Sequence, residues 1–534
     1  MALPDAMASK IARIPNIVTV SMVQKYPKYG VLQRYCFYFF SEPIFLLLIS
    51  SKIYPMSLLS KPTSALIPIL FYSILFTSCS PSSQNTETDI AFDVRIQILG
   101  EGTVTPNPGS FEAQTNIKLR AMPASGFYFD RWEGFEQVEE KEEVDLILTQ
   151  DLILTAIFLP LPKLSDEVLV FNIKKIDPNP VFMIENGGTT AYLTDKSGTR
   201  LQTWNFDSRL GNEVKLLEDG SVIGIFKPES VSFSFGGYGG LLKKYSPEGD
   251  LVWEYEVNTE KELSHHDFEV LPNGNILLLV WEAYTIEETK GLGYDGVGPI
   301  YLEKLIEVEP QTQRVVWEWN SADHMVQEFD ATALSFGSVA AHPEKIDLNY
   351  SDSENGDLMH ANGLYYDADR DVIFLSVNFY SEIWVIPHQY DMEKTKTDLG
   401  DLVYRFGNPR TYKGEGERLF YNNHHPSLVE LDPKTAGQFL IFMNGSHEEQ
   451  SVVYEFVLPN TFNTNPNSWD TPEVVWSFTN EALFFSKISG TYRLPNGNTL
   501  ICEGDFGYWE VTQEGEIVWK YKGETNFWRG YVYP

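Results

Sequence analysis

Apolar and polar residues alternate over short runs along most of the chain from residue 90 onward. FDVRIQI at 92–98 is such a run, whereas ILLLVW at 276–281 is continuously apolar, and Gly, Pro, Asn or Asp residues separate the runs from one another. Alternation with a period of two, in segments rich in aromatic and β-branched residues, is typical of β-strands. Long stretches of helix-forming residues do not occur in this part of the sequence. The pattern therefore predicts an all-β protein.

A motif of two aromatic residues separated by one residue recurs six times after residue 165. The copies are TWNF (203–206), VWEY (252–255), VWEW (316–319), VYRF (403–406), VWSF (475–478) and VWKY (518–521). Hairpin sequences with Asp-Gly or Asn-Gly between apolar runs follow several copies, and these dipeptides are typical of tight β-turns. A unit of four antiparallel strands is the blade of a β-propeller. We therefore predict a six-bladed β-propeller over residues 165–534, with the motif aromatics packed between blades and residues 167–176 completing the last blade.

Residues 90–160 are predicted to form a small β domain that precedes the propeller. Tight turns such as GEG at 100–102 and PNPG at 106–109 interrupt its strand-like runs. The segments GEGTVTPNPGSF, LRAMPASGFYFDRWEG and LTAIF resemble the internalin-type B-repeat family. The resemblance implies a spacer or adhesion module without catalysis.

Residues 56–79 have the organisation of a secretory signal peptide. Lys61 precedes an apolar run from 65 to 76, and small residues lead to Cys79. A run of this length is too short to span a bilayer. The ending LFTSC resembles the lipobox of bacterial lipoproteins, which implies that Cys79 is lipidated and becomes the first residue of the mature protein. We therefore expect a protein of the bacterial cell envelope that contacts the membrane only through its lipid anchor, and a plain signal peptide is the alternative.

The signal-peptide interpretation also determines how two neighbouring segments are interpreted. Residues 1–55 are interpreted as an extension that results from a start codon assigned too early, with an additional membrane anchor as the alternative. Residues 80–89, SPSSQNTETD, contain almost only polar side chains, and we predict that they form a linker.

The charge of the chain limits its partners. The sequence contains 40 Lys and Arg residues and 74 Asp and Glu residues, which gives a formal net charge of −34. Such a surface repels nucleic acids and anionic lipid headgroups, so we expect neither as a partner. It also repels anionic small molecules, so an anion site requires a local pocket of donors. The three cysteines indicate neither a disulfide framework nor a thiolate metal site.

The histidines supply the candidate chemistry, because all nine lie between residues 265 and 447. His266, His360 and His425 each follow a long loop and open a strand that leads into a hairpin turn. Asn212 and Ser489 hold the same position in two further repeats. If these strands line the central channel, the five residues form a ring of polar groups at one mouth.

Three histidines at one mouth suggest either metal binding or anion chemistry. No carboxylate accompanies them at a fixed spacing, which argues against a metal, although three histidines alone can hold zinc. Neighbouring residues of a strand point to opposite faces, so one member each of the pairs His265–His266 and His424–His425 faces the channel. We assign His266 and His425 to the channel, and we predict anion chemistry that needs no metal or other cofactor.

The propeller segment resembles the aryl-sulfate sulfotransferase family, whose members use no nucleotide sulfate donor. The resembling segments are HHDFEVLPNGN (265–275), DLMHANGLYYDADRDVIFLS (357–376), FGNP (406–409), NNHHPSL (422–428), YRLPNGNTLICEGDFGYWEVTQEGEIVWKY (492–521) and FWRGYVYP (527–534). The resemblance implies a six-bladed propeller. It also implies an active-site histidine that takes the sulfuryl group from an aryl sulfate ester and transfers it to a phenol, so the expected partners are these two small molecules.

The same resemblance implies roles for individual residues. His425 resembles the nucleophile, because Leu428 fits the apolar position that follows it. His266 and His360 resemble the two histidines that bind the sulfuryl group. The further candidates for substrate binding are Asn362, Asn378, His424, Ser489 and Arg529.

At one position the sequence departs from the family pattern. The family commonly has an arginine that binds the sulfate oxygens, and this chain has Asn378 at that place. A guanidinium makes charge-assisted bidentate hydrogen bonds that an amide cannot make. Either another donor such as Arg529 or Tyr380 replaces it, or the natural substrate differs, or the site only binds. The alternative function is therefore a non-catalytic propeller that binds a ligand or glycan at the channel mouth.

Overall fold

The computed structural model describes residues 90–429, 437–463, 465–466 and 469–533, together with three strands of the N-terminal segment. These strands are Ala12–Ile14, Ile17–Lys25 and Leu32–Phe39, and they form an antiparallel sheet in a unit of their own. The predicted signal peptide at 56–79, its Cys79 and the linker at 80–89 lie outside the described residues. The interpretations of residues 1–89 therefore stay predictions.

A small β domain of two sheets precedes the propeller. One sheet contains Gly109–Glu112, Ala91–Leu99, Leu152–Pro160 and Phe127–Glu133 in that order, and the other contains Gly102–Thr105, Asn116–Pro123 and Glu143–Ile147. Buried and exposed residues alternate along Asn116–Pro123, which places Leu119 in a core with Phe129 and Trp132. The domain contacts the propeller where Lys174 Nζ donates a hydrogen bond to the backbone oxygen of Asp130 at 3.1 Å.

Six sheets of four strands follow, and they form the predicted six-bladed propeller. In order from the innermost strand outward, blade I is Phe527–Val532, Val181–Glu185, Thr190–Thr194 and Arg200–Asn205; blade II is Leu210–Leu216, Val222–Phe226, Leu241–Tyr245 and Leu251–Glu256; blade III is Glu262–Val270, Ile276–Tyr284, Ile300–Glu309 and Arg314–Asn320; blade IV is Ala361–Asp367, Val372–Val377, Glu382–Pro387 and Tyr404–Phe406; blade V is Asn423–Leu428, Gln438–Met443, Val452–Val457 and Glu473–Phe478; blade VI is Gly490–Arg493, Thr499–Glu503, Gly507–Val511 and Ile517–Lys522.

The aromatic motif marks the fourth strand from the channel in each blade. The motif residues pack in the cores, as predicted: Trp204, Trp317 and Trp519 are all buried. The sequence suggested a repeat that joins each motif to the hairpin that follows it. In the structure that hairpin forms the two inner strands of the next blade, so the predicted repeat is displaced by half a blade. The innermost strands of blades II and III also pair at one point, between Asn212 and His266.

Two segments close the ring. Val168–Phe171, within the predicted 167–176, pairs with Ile517–Lys522 as a fifth, outer strand of blade VI. Blade VI already has four strands without it, so the expectation that this segment supplies missing strands was wrong. Closure comes instead from Phe527–Val532, which pairs with Val181–Glu185 as the innermost strand of blade I.

The remaining elements lie in the long connections of blades III to V. They are the α-helix Ile286–Leu292, the 3-10 helices Ser321–His324, Val339–Ala341, Asp398–Gly400 and Pro409–Tyr412, and the short paired strands Met325–Val326 and Ile346–Asp347. The Thr285 side chain caps the helix and Glu288 reciprocates, as in a capping box. Within the described part of the chain, no helix is long and apolar enough to cross a membrane.

Candidate active site

The five residues that occupy one repeat position share an unusual backbone conformation. Asn212, His266, His360, His425 and Ser489 all have a positive φ, between 50° and 145°. In three of the five blades the register of the innermost strand shifts across this residue, and in blade IV it shifts just after His360, as in a β-bulge. Bulges redirect side chains and interrupt strand pairing, so the equivalence that the sequence suggested is a real feature of the backbone.

A cavity of about 650 Å³ lies at the mouth of the channel where these strands begin. Residues from all six blades line it, so it lies on the axis of the propeller. Three of its lining residues are His266, His360 and His424. The His266 and His360 ring centroids are 4.9 Å apart, and the Trp528 ring lies 5.9 Å from His266 and 6.2 Å from His424. The cavity therefore brings three imidazoles together.

His360 is the imidazole whose charged form is favoured. Its Nδ1 is hydrogen-bonded to a carboxylate oxygen of Asp357, which is itself almost fully buried. Burial alone lowers the pKa of His360, but the charge of Asp357 and its hydrogen bond to the ring outweigh burial and raise that pKa. The protonated ring therefore persists to higher pH than free histidine does. It offers the cavity a cation with an N–H donor at Nε2.

His424 is held as a neutral imidazole with a defined tautomer. Asn444 Nδ2 donates hydrogen bonds to the backbone oxygens of Phe485 and Ile488, at 2.8 and 3.0 Å. The Oδ1 of Asn444 therefore faces His424 Nδ1, 2.6 Å away, and Nδ1 must carry the proton. Burial lowers the pKa of His424 to about 3. The lone pair is thus on Nε2, the ring nitrogen left for the cavity.

His266 is also neutral. Burial lowers its pKa well below the usual value, and the neighbouring His360, His265 and His424 lower it further. Its Nε2 lies close to Gly237, where a Cβ would come within 2.0 Å of that nitrogen. Gly237 has a φ of +78° and lines the cavity. A side chain there would clash with the His266 ring, so only glycine lets the backbone pass this close to Nε2.

His425 does not join this cavity, so the expectation that it shares a mouth with His266 and His360 was wrong. Strand alternation separates His424 from His425 as anticipated, but His424 is the member that faces the three-histidine cavity. The His425 ring lies against Gly490, and its Nδ1 accepts a hydrogen bond from the backbone N of Thr491 at 3.0 Å. It lines a second cavity, of about 440 Å³. Gly490 of the neighbouring blade has no side chain, and the His425 ring occupies the space that a side chain would fill.

Comparison with known families supports the two domains that the sequence predicts. The family model described as Arylsulfotransferase (ASST) matches residues 138–526, which is more than half of the chain. The chain belongs to the arylsulfotransferase family. A second family model, described as Divergent InlB B-repeat domain, matches residues 93–161 and confirms the resemblance of the small β domain. Membership of the arylsulfotransferase family supports sulfuryl transfer involving aryl compounds in general. No curated protein matches the chain.

Solved structures similar to this member of the family include two lactonases and one propeller. One is a putative 6-phosphogluconolactonase from Bacteroides fragilis NCTC 9343 and another is the periplasmic gluconolactonase PpgL of Pseudomonas aeruginosa; for each the TM-score is 0.36 at 11% identity, over 67% of this chain and 99% of that one. The Dos1 propeller gives a TM-score of 0.30 at 10% identity, over 65% of this chain and 69% of that one.

Two of the predicted substrate-binding amides support the chain beside His424. Asn378 lines the cavity, and its Nδ2 donates to the backbone oxygen of Asn423 at 3.2 Å. Asn362 does not line the cavity and donates to the same oxygen at 2.7 Å. The Oδ1 of Asn378 accepts from Asn422 Nδ2 at 2.9 Å. The polar atoms of Asn378 are therefore engaged in fixing the strand that carries His424.

Three other candidates lie away from the three-histidine cavity. Ser489 is buried, and its Oγ accepts a hydrogen bond from the backbone N of Gly504 at 3.0 Å. Arg529 lines the second cavity, and its Nη1 pairs with both Glu213 and Asp267. Tyr380 is fully buried and donates to the backbone oxygen of Asp347. Neither Arg529 nor Tyr380 is therefore in position to replace the family arginine, which corrects that expectation.

The cavity rim supplies cations that the sequence analysis did not identify. Arg209, Lys227 and Lys487 line it, and Asp357 is the one carboxylate among the lining residues found in the described chain. The aromatic rings of Phe235 and Phe379 also line it, and Phe379 stacks on His360 with centroids 4.8 Å apart. A local excess of positive charge beside aromatic surface suits an anionic aryl ester. The three cations come from separate loops, so no local motif marks them.

Zinc was the alternative for a group of histidines. In the residues that the structure describes, no three His, Cys, Asp or Glu side chains are arranged so that they could hold a metal ion. His360 is hydrogen-bonded to Asp357 and His424 to Asn444 through their Nδ1 atoms. The site therefore presents imidazoles oriented for hydrogen bonding.

Proposed function

We propose that the protein transfers a sulfuryl group from an aryl sulfate ester to a phenolic acceptor through a sulfohistidine on His424. The observation that carries this proposal is the fixed tautomer of His424, with its Nδ1–H bound to Asn444 and its Nε2 lone pair at the cavity. A neutral imidazole is a nucleophile, and a covalent intermediate divides one difficult transfer into two easier steps.

In the first half-reaction, His424 Nε2 attacks the sulfur of the aryl sulfate. The N–S bond forms as the bond between sulfur and the phenolic oxygen breaks, and the leaving phenoxide takes up a proton. In the second half-reaction, the acceptor phenol loses its proton and attacks the same sulfur, which restores free His424. The hydrogen bond from Nδ1–H to Asn444 balances the positive character that the ring gains in the intermediate.

The other lining groups suit the charges of this reaction. The sulfuryl oxygens carry negative charge throughout, and protonated His360 is a donor held rigidly by Asp357. Lys227 and Lys487 add positive charge at the rim, in a protein whose net charge is strongly negative. The aromatic faces of Phe235 and Phe379 provide contact surface for the aryl rings of donor and acceptor. Electrostatic stabilisation of this kind supplies a large part of many enzymatic rate enhancements.

The direct test uses 4-nitrophenyl sulfate as donor and phenol as acceptor. We expect release of 4-nitrophenol that depends on the acceptor, together with formation of phenyl sulfate. Donor without acceptor should leave a sulfuryl adduct on the tryptic peptide 419–434, which contains His424. Tight binding of the donor without release of 4-nitrophenol would favour the alternative, a propeller that only binds its ligand.

The rim cation Lys227 is expected to contribute to donor binding. Its ammonium lies 4.2 Å from the centre of the Tyr238 ring, and burial lowers its pKa. Lys227→Met should raise KM for the aryl sulfate about tenfold with little change in kcat, because a hydrogen bond to a charged group contributes about 1.5–3 kcal/mol. Steady-state kinetics at low salt measure both constants. Lys244→Met is the matched control, since Lys244 pairs with Asp219 away from the cavity.

We propose that the mature protein is attached to the bacterial cell envelope through a lipid on Cys79. The proposal rests on the signal-like sequence that ends at this cysteine. Cys79→Ser should move the protein from the membrane fraction to the soluble fraction, as measured by fractionation and immunoblotting. Mass analysis of membrane-extracted wild-type protein should find an N-terminus at a lipid-modified Cys79. An intact segment 1–78 in that preparation would contradict the proposal.

A further inference from the structure

Two buried side chains extend from His266 into the core of blade III. His265 Nδ1 lies 2.9 Å from His266 Nδ1, and His265 Nε2 lies 3.0 Å from Glu303 Oε2. His265 and Glu303 are completely buried. The His265 ring stacks on Trp281 with centroids 3.7 Å apart and an interplanar angle of 3°, which fixes its orientation. The result is a continuous line of hydrogen bonds from the cavity to a buried carboxyl group.

Two arrangements of protons satisfy this line. In the first, Glu303 is a carboxylate, His265 donates to it through Nε2–H, His266 donates to His265 through Nδ1–H, and His266 Nε2 has a lone pair. In the second, Glu303 Oε2–H donates to His265, His265 Nδ1–H donates to His266, and His266 Nε2 carries a proton. The backbone N of Ala361 donates to Glu303 Oε1 at 2.7 Å, which leaves Oε2 as the oxygen that gains the proton. The two arrangements differ by exactly one proton.

We propose that Glu303, His265 and His266 form a proton relay that gives a proton to the leaving phenoxide and takes one from the acceptor phenol. This inference rests on the proposed sulfuryl transfer. As the donor S–O bond breaks, His266 Nε2–H passes its proton to the phenoxide oxygen. The Nδ1 proton of His265 moves to His266, and the Oε2 proton of Glu303 moves to His265, so that Glu303 becomes a carboxylate. The acceptor phenol reverses each movement when it delivers its proton to His266 Nε2.

The surroundings explain why the proton is stored on Glu303. Burial and the neighbouring imidazoles lower the pKa of His266, so a positive charge there is unfavourable. Burial, followed by the charge of Asp357, raises the pKa of Glu303 well above its usual value, although the Ala361 N–H and His360 oppose this. Both rings of the relay therefore stay neutral while a proton passes. The charged and titratable groups that act on the relay are Asp357, His360, His424 and Arg529.

Glu303→Gln tests the relay, because glutamine preserves the shape of the side chain but neither gains nor loses a proton. A leaving phenol of high pKa needs the proton more than one of low pKa does. We therefore expect the rate of phenol release to fall about 100-fold or more with phenyl sulfate, and less than about tenfold with 4-nitrophenyl sulfate. A series of aryl sulfates measures this as a steeper dependence of the rate on the pKa of the leaving phenol. His265→Gln interrupts the same line and should steepen the dependence as well.

Glu307→Gln is the matched control. Glu307 lies on the same strand, and its Oε2 is 3.0 Å from His388 Nε2, so it is also a glutamate paired with a histidine. It does not line the cavity, and its variant should keep the wild-type dependence on the leaving phenol. An equal loss with every donor, or no loss, in the folded Glu303 and His265 variants would overturn the relay. A folded wild-type protein that releases no phenol from any donor overturns the proposed function, and the relay with it.

Discussion

Replacing His424 with asparagine is expected to lower sulfuryl transfer by more than about 1000-fold, as removal of a nucleophile does. The variant loses the Nε2 lone pair that faces the cavity but retains a polar side chain beside Asn444. We expect no adduct on peptide 419–434 after incubation with donor alone. Circular dichroism and the thermal unfolding midpoint check that the variant is folded.

His425→Asn is the control for this variant, since the residue is adjacent and equally buried. Its ring lies in the second cavity and accepts a hydrogen bond from the backbone of Thr491. We expect less than about a tenfold loss of transfer. A folded His425 variant without transfer, together with an active His424 variant, would return the role of nucleophile to His425, as the sequence alone suggested.

Arg529→Leu is expected to destabilise the propeller by about 3–5 kcal/mol, because it leaves buried carboxylates without their cation. Arg529 Nη1 lies 2.7 Å from Glu213 Oε2 and 2.8 Å from Asp267 Oδ2, and its Nη2 donates to the backbone oxygen of Asn362. These contacts join four blades around the channel. Urea unfolding near pH 7 measures the change in free energy.

The pH dependence of this variant follows from the sign of the carboxyl shift. Burial raises the pKa of Glu213 to about 7 in the folded protein, even with Arg529 opposing it. Loss of the arginine raises that pKa further, so the folded state is penalised where the unfolded glutamate is ionised. The part of the deficit that comes from Glu213 should therefore grow as the pH rises through about 7, where Glu213 ionises in the wild-type protein, and should shrink below pH 7, where Glu213 is protonated in both folded proteins. Arg370→Leu, which breaks a partly exposed pair with Asp367, should cost less than about 1 kcal/mol.

The blades could be predicted from the sequence because the features that specify their strands and turns are local. Strand alternation, Asn-Gly turns and the aromatic motif all act within a few residues. The boundaries between blades were harder to predict, because a motif on an outer strand does not indicate where the next inner strand begins. Ring closure depends on which distant segments pair, and nothing in Phe527–Val532 itself specifies Val181–Glu185 as its partner.

The site could also be predicted only in part from the sequence. The repeat position of the histidines was correctly located, because each of them follows a long loop and opens an innermost strand. The choice between His424 and His425 depends on Asn444 and Thr491, which lie on other strands. Asp357 could have been found, since it stands three residues before His360. The rim cations Arg209, Lys227 and Lys487 could not have been found in this way, because each belongs to a different loop.

Closure by Phe527–Val532 also governs when the three-histidine cavity can form during synthesis of the chain. This strand contributes Trp528 to the imidazole cluster and Arg529 to the buried carboxylates. A ribosome adds these residues after every other strand of the ring, so a nascent chain holds five blades and an unpaired edge at Val181–Glu185. Open sheet edges favour aggregation, which makes such a chain a substrate for holding chaperones. Completion of the ring and completion of the three-histidine cavity are thus one event.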